Sequence, residues 1–246
     1  LLLLGLSPVE LGNNTVKPLS NIYGIRAVEA LAQSRPNDIE RLFLVEEHIP
    51  RFSELLSQLA RLKKPYRVVD EVELEKISKT HRHEGVCAVA FRRLPIEEEE
   101  FYSRLQDELD DAVGILALDG VENPHNVAAL ARTAAFFGVR YIVVDGESQV
   151  GNVVSSGAVA RVSEGAIENV QFVVVESLPK FLRSMGDKGW KNFSTDVNGG
   201  EEVSFAIMPP RSCIVLGSEG EGISRRVAKC CHETLCIKGA GAVESL

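Results

Sequence analysis

An apolar run, Cys213-Ile214-Val215-Leu216, stops abruptly in Gly217-Ser218-Glu219-Gly220-Glu221-Gly222, and this junction limits the folds open to the chain more than any other stretch. The run has the length and composition of a strand. The glycines that follow let the backbone approach a neighbour and offer bare N–H and C=O groups, because no Cβ intervenes. Ile223 to Cys231 reads as a short helix. A second strand-like piece, Thr234-Leu235-Cys236-Ile237, runs into another glycine loop, Gly239-Ala240-Gly241. Glycine loops at strand ends are where an α/β sheet holds a small ligand, so the pattern predicts a ligand cradle.

Upstream segments supply the rest of such a sheet. Val113 to Leu118 is a predicted strand, followed by the loop 119–126 and a helix from Val127 to Phe137. Gly138 stops that helix, and Tyr141 to Val144 is the next strand. This is a βαβ unit, which requires parallel strands. Val153 to Val162 reads as a small-residue helix, Gln171 to Val175 as a strand, Leu178 to Met185 as a helix and Asn192 to Asp196 as a short strand.

The first 20 residues show no sustained period and read as a tail. From 21 to 93 helices and strands alternate. Helices are predicted over Ile22–Gln33, Phe52–Leu62 and Glu71–Ser78, with strands over Arg41–Val45, Tyr66–Val69 and Val86–Phe91, giving a small α/β sandwich. Residues 94–112, with Glu97 to Glu100 and then Phe101, Leu105 and Leu109 at helical spacing, read as an acidic linker helix, a solvated connector. The second domain is expected over 113–246.

The net charge of −8 argues at first sight against a polyanionic partner, but it is unevenly placed. Residues 94–112 hold one Lys or Arg against eight Asp and Glu, whereas residues 21–93 hold 13 against 11. Global charge therefore does not exclude RNA. Lys63-Lys64 and His81-Arg82-His83 can meet phosphates or simply lie on a solvated surface. No apolar run approaches the ~20 residues of a membrane helix, and no membrane partner is expected. Five cysteines with no CxxC pair predict buried reduced thiols and no metal site, as in a cytoplasmic protein.

Arg132 is the only charge in Val127 to Phe137. An apolar helix buried on most sides makes that arginine costly unless it meets an anion. The anion can be a carboxylate inside the fold or across a subunit contact, or a substrate phosphate. Asn126 is either the helix cap or a site wall. Glu219 either caps the next helix or points at a ligand or at Arg132. Gly217 to Gly222 is not a phosphate-binding P-loop, since no Gly-Lys-Ser/Thr follows, and it lacks the GxGxxG order of dinucleotide folds.

Taken in order, Val121-Glu122-Asn123-Pro124-His125-Asn126 with Arg132-Thr133-Ala134, then Ile214 to Ile223, then Ile237-Lys238-Gly239-Ala240-Gly241-Ala242-Val243-Glu244-Ser245-Leu246 resemble the three motifs of the SpoU/TrmH family. These are S-adenosylmethionine-dependent RNA ribose 2′-O-methyltransferases. The first domain, with Ile22-Tyr23-Gly24 and Glu84-Gly85-Val86-Cys87, resembles the L30e-like RNA-binding domain of many members, and its wording is closest to the YfiF-type branch. The resemblance implies an α/β fold with a parallel sheet closed by a trefoil knot. It implies S-adenosylmethionine held by backbone at Gly217, Ile237 and Leu246, and a homodimer in which the partner's arginine completes each site. By the same resemblance Arg132 helps activate the ribose hydroxyl, Asn126 and Glu219 position it, and Ser245 shapes the site. The expected substrate is rRNA or tRNA. A non-catalytic RNA-binding protein that keeps the scaffold is the alternative. The family continues beyond Ser-Leu with an Asn and a further helix, and the sequence opens on a residue other than Met, so a piece of a longer product is expected. Lys238 stands where the family often has Pro.

Overall fold

In a computed structural model that describes residues 18–107, 114–150, 154–197, 199–203 and 208–237, the chain first extends as β1 (Leu19–Tyr23). It then turns at Gly24 into α1 (Ile25–Ser34). Next come β2 (Ile39–Leu44), α2 (Ser53–Arg61), β3 (Tyr66–Val68), α3 (Glu71–Ser78) and β4 (Val86–Phe91). Among the described residues these strands form a sheet in the order β1-β4-β2-β3. β4 runs antiparallel to β1 and β2, and β3 parallel to β2. Period-two alternation decides its two faces. Val86, Ala88 and Ala90 of β4 enter a core with α1 and α2, while Cys87 packs on the other face with Leu74 of α3.

The predicted helix over Ile22–Gln33 is therefore corrected at its start, because residues up to Tyr23 are strand. Gly24, at φ +96°, makes the turn, and the Glu84 carboxylate accepts from the Ile25 amide (3.1 Å), capping the helix from outside. Leu19 and Ser20, read as the end of a tail, pair with Phe91 and Ala90.

The acidic stretch is corrected more substantially. It forms β5 (Ile96–Glu97) and α4 (Glu98–Asp107), and β5 adds to the edge of the second sheet beside β8 (Gln171–Val175). Phe101 is fully buried and touches Tyr141 edge-on with ring centroids 5.1 Å apart. The glutamates are the wet side of an amphipathic helix whose other side is core.

The second sheet then adds β6 (Gly114–Asp119), α5 (Pro124–Phe136), β7 (Tyr141–Asp145), α6 (Gly157–Val162), β8, α7 (Leu178–Asp187), β9 (Lys191–Thr195), β10 (Glu201–Glu202), β11 (Ser212–Gly217), α8 (Arg225–Ala228) and β12 (Glu233–Cys236). Its eight described strands are parallel throughout, in the order β10-β12-β9-β11-β6-β7-β8-β5. The chain leaves β6 toward one edge through β7 and β8, then returns to fill the other side. The direction reverses between β6 and β11, and that is where an open α/β sheet has a crevice at its carboxyl edge.

The two sheets share one apolar core, to which α1, α2, α5 and α6 contribute. Contact is closest where α6 meets β1, since a β-carbon on Gly157 would collide with the carbonyl oxygen of Asn21. A buried ion pair joins the same bodies. The Arg35 guanidinium grips Glu168 through Nε (2.7 Å) and Nη2 (2.9 Å), and Arg93 donates to the Glu168 and Ile167 carbonyls from above it. Burial alone would depress the Arg35 pKa, but the hydrogen bonds and charges of Glu168 and Asp38 together outweigh it and raise it.

Candidate functional site

The crevice is built from the ends of β6 and β11. β6 ends at Asp119, whose carboxylate accepts from the Ser224 amide (2.7 Å), tying the loop after β11 to the loop after β6. Between them the chain from Gly217 to Gly222 folds back on itself, with Ser218 and Gly222 bridged and the Gly222 amide donating to the Ser218 carbonyl (3.0 Å). A β-carbon on Gly217 would collide with the Gly222 main chain, so this closure requires glycine there. Asp119 was not singled out from sequence. A carboxylate closing a strand before a glycine turn was the available signal.

Asn126 and Glu219 come together. The Asn126 amide Nδ2 donates to Glu219 Oε1 at 2.7 Å, at an exposed position on the carboxyl edge. Asn126 is free to do so because Asn123 is the helix cap, its Oδ1 accepting from the His125 amide (2.9 Å). The capping reading of Asn126 is thereby corrected. Glu219 does not cap the next helix either, since Ser224 does that through its hydroxyl.

Arg132 is not in that pair. Six residues along α5 from Asn126, it lies about 9 Å further along the axis and a third of a turn round it. Its guanidinium meets Glu164 (2.9 Å), with both side chains about half exposed. The expectation that α5 is buried on most sides is corrected, because only Val127, Ala128, Ala131 and Ala134 are buried. The opposite side carries Arg132 and then Phe136 and Phe137, 84% and 68% exposed.

Gly217 and Ile237 lie toward the same edge of the sheet, offset by one residue. β9 separates their strands, and Val215 pairs with Ser194 while Leu235 pairs with Thr195. Continuing each strand two residues brings Gly217 level with Asp196 and Ile237 level with Val197. Two strand spacings, about 10 Å, separate them. Ile237 is 64% exposed. Ser245 and Leu246 lie outside the described residues, as does the segment expected to form the knot.

Cys87, Cys213 and Cys236 are buried free thiols, while Cys230 and Cys231 are partly covered. Burial raises Cys87 to about 12 and Cys231 to about 11, so neither is a ready thiolate. Among the described residues no cluster of His, Cys, Asp and Glu suits a metal ion, and no helix is long and apolar enough to cross a membrane.

A parallel sheet with a main-chain cradle at its point of strand reversal, joined to a small mixed sheet, defines a two-part α/β protein built to hold a small molecule. Its sequence carries that further. A family model described as the SpoU rRNA Methylase family matches residues 114–246, and one described as RNA 2′-O ribose methyltransferase substrate binding matches residues 21–94. The chain belongs to the SpoU methylase family. It is 34% identical over 227 residues to an Escherichia coli O157:H7 protein described as the uncharacterized tRNA/rRNA methyltransferase YfiF, covering 92% of this chain and 64% of that relative. It is 31% identical to the 23S rRNA (guanosine-2′-O-)-methyltransferase RlmB of Neisseria meningitidis serogroup B, covering 92% of this chain and 88% of that one. A solved RNA 2′-O ribose methyltransferase superposes with a TM-score of 0.71 at 20% identity, covering 94% of this chain and 83% of that chain. The SpoU methyltransferase AviRb from Streptomyces viridochromogenes, solved with AdoMet, superposes at 0.68 and 19% identity, covering 93% and 84%. At these identities the two structures share the fold.

Proposed function

We propose that the protein transfers a methyl group from S-adenosylmethionine to a ribose 2′-hydroxyl of rRNA or tRNA, in the cytoplasm. The observation that carries this reading is the Asn126–Glu219 pair beside the Gly217 cradle, at the carboxyl edge between β6 and β11. S-adenosylmethionine, when bound, supplies an electrophilic methyl on a sulfonium. The main chain of Gly217 and Ile237 would hold it, together with Leu246, by resemblance to the family. Residues 21–93 form the RNA-binding part and residues 113–246 the methyltransferase part.

A ribose hydroxyl attacks poorly until its proton is drawn off and its oxygen is held in line. Asn126 and Glu219 offer one amide and one carboxylate on the same edge, already hydrogen-bonded to each other, and these orient the hydroxyl; Ser245 shapes the same pocket. The guanidinium of Arg132 stabilises negative charge as the proton passes to a nearby carboxylate or substrate phosphate. Within one chain that guanidinium is offset from the pair. A second copy supplies it, docking against the exposed side of α5 that carries Phe136 and Phe137.

Incubating the protein with methyl-labelled donor and total RNA tests the reading. Label in nuclease-resistant 2′-O-methyl dinucleotides is the expected result. Donor binding without any ribose label would overturn it.

A further inference from the structure

Asp119 and Gly120 follow one another where β6 ends, and together they meet both ends of the loop that leaves β11. The Asp119 carboxylate, partly buried, accepts from the Ser224 amide at 2.7 Å. Gly120, in the left-handed region at φ +72°, lies against Ser218, whose Cβ is 3.6 Å from where a β-carbon of Gly120 would stand. Inside the loop, Ser218 is the anchor. Its carbonyl accepts from the Gly222 amide (3.0 Å) and its hydroxyl from the Glu221 amide (3.3 Å).

A loop with Gly220 and Gly222 in it does not hold a shape by itself. Those residues have no side chain to pack, and ordering them costs more conformational freedom than ordering any other residue. The shape depends on what grips the loop from outside. A hydrogen bond from an amide to a carboxylate is charge-assisted and stronger than one between neutral groups. Asp119 supplies such a bond from the neighbouring strand, level with Gly217. The gripped loop carries Glu219, and the loop that starts at Gly120 carries Asn126, which donates to Glu219 at 2.7 Å. One carboxylate thus stands between the Gly217 main chain and both members of the pair.

We infer that Asp119 is a positioning residue for both halves of the site. By holding Ser224 it closes the loop 217–224, which sets the Gly217 main chain for the methyl donor and the Glu219 carboxylate for Asn126. The inference rests on the methyl-transfer reading above and adds to it a group that carries no proton and acts through the loop. Because one loop serves both tasks, losing Asp119 weakens donor binding and slows turnover together. Loosening the fold elsewhere lowers stability alone.

The test compares Asp119→Ala, which removes the acceptor, with Asp119→Asn, whose amide oxygen can still accept from Ser224. Hydrogen exchange is read first, on the donor-free full chain, over peptides spanning 217–224. Exchange there should be faster in Asp119→Ala and near wild type in Asp119→Asn. Calorimetry with S-adenosylmethionine should then show affinity lower by about tenfold or more in Asp119→Ala, the scale of one hydrogen bond to a charged group. Turnover on total RNA should fall by a similar factor, and Asp119→Asn should recover most of both. Asp119→Glu keeps the charge but moves the carboxylate out by one methylene. It should fall between the two, and it carries the test if the alanine variant does not fold. Glu168→Ala, which breaks the buried pair at the junction of the sheets, is the destabilised control. Its melting temperature should drop while donor affinity holds. Unchanged loop exchange or unchanged donor affinity in Asp119→Ala would overturn the inference, as would an asparagine variant no better than alanine. So would an equal loss of donor affinity in Glu168→Ala, since general loosening would then account for both. A wild-type chain that shows the exchange pattern but binds no donor would sink the proposed activity and leave the clasp standing.

Discussion

Asn126 and Glu219, 93 residues apart along the chain, meet through a 2.7 Å hydrogen bond where β6 and β11 end side by side. Parallel pairing brings Asp119 level with Gly217, and the residues just beyond each strand end therefore face one another. Had the two strands been antiparallel, these loops would lie at opposite edges of the sheet. The pair is a product of topology, and its exposure leaves it open to a substrate.

If the pair orients the ribose hydroxyl, each member should matter to turnover more than to binding. Asn126→Ala and Glu219→Gln are each expected to lower kcat by roughly 100-fold, the scale for losing one oriented polar group at a reacting centre. Glu219 is exposed and Asn126 half-buried at the surface, so melting temperature should move little. A double variant no worse than either single one would fit residues acting as a unit. Unchanged kcat in both single variants would remove them from the chemistry.

Gly217→Ala probes the cradle by itself. The added methyl collides with the main chain of Gly222, which is backbone and cannot rotate away. Overpacking of this kind costs about 1–3 kcal/mol and displaces the loop that would hold the donor. Calorimetry should show donor affinity falling at least tenfold while RNA affinity holds. Gly220→Ala, with open space around it, serves as the control.

Six of the eight described strands of the second sheet were readable, most of them as apolar runs, whereas β5 and β10 were not, being two-residue strands that carry glutamates. β1 was not. Ile22 falls in register with Ile25 and Val28 at helical spacing, and only the left-handed turn at Gly24, held by Glu84 from 60 residues away, breaks the helix there. α4 was found, but the glutamates at 97–100 hid the burial of Phe101 and Leu105. The candidate site residues were named from their motifs, yet their partners were not. Arg132 of α5 meets Glu164, just past the end of α6, and no local spacing foretells that contact.

Glu168 is the carboxylate that joins the two sheets, and its side chain is nearly inaccessible. Removing one member of a buried pair leaves the other charge without compensation, at a cost of about 3–5 kcal/mol. Glu168→Ala is therefore expected to lower the urea midpoint markedly. Glu100→Ala breaks an exposed pair with Arg104 (2.6 Å) and should cost less than about 1 kcal/mol. Equal effects from the two would show that the Arg35–Glu168 contact is no more than a surface pair.

Thiol titration should follow burial. The ordinary thiol value is 9.0, and burial raises Cys87 to about 12 and Cys231 to about 11, so folding stabilises the protonated form of both. Below pH 9 folded and unfolded chains hold the same protons, and the contribution is fully present. Above pH 9 the unfolded chain loses protons that the folded one keeps, and stability declines toward pH 11–12. Alkylation at pH 8 should spare Cys87 and Cys231 in the native protein and reach them in urea. Prompt native labelling of Cys87 would contradict its burial.

The last prediction concerns the offset of Arg132 from the Asn126–Glu219 pair. Phe136 and Phe137 pack edge to face against each other, 5.2 Å between centroids, on the exposed side of the helix that carries Arg132. If this face meets a second copy, Phe136→Asp with Phe137→Asp should give a monomer by light scattering and abolish methyl transfer while donor binding persists. Complementation then asks whose arginine acts. Arg132→Ala and Asn126→Ala are each expected to be nearly inactive alone. Mixed and allowed to exchange subunits, half the dimers would carry both variants, and each of those would hold one site with an intact asparagine from one copy and an intact arginine from the other. Activity should recover to roughly a quarter of wild type, since closed two-fold symmetry makes two such sites per dimer. No recovery, with exchange verified by mass spectrometry, would mean that Arg132 works within its own chain and that Glu164 must release it across the surface of α5.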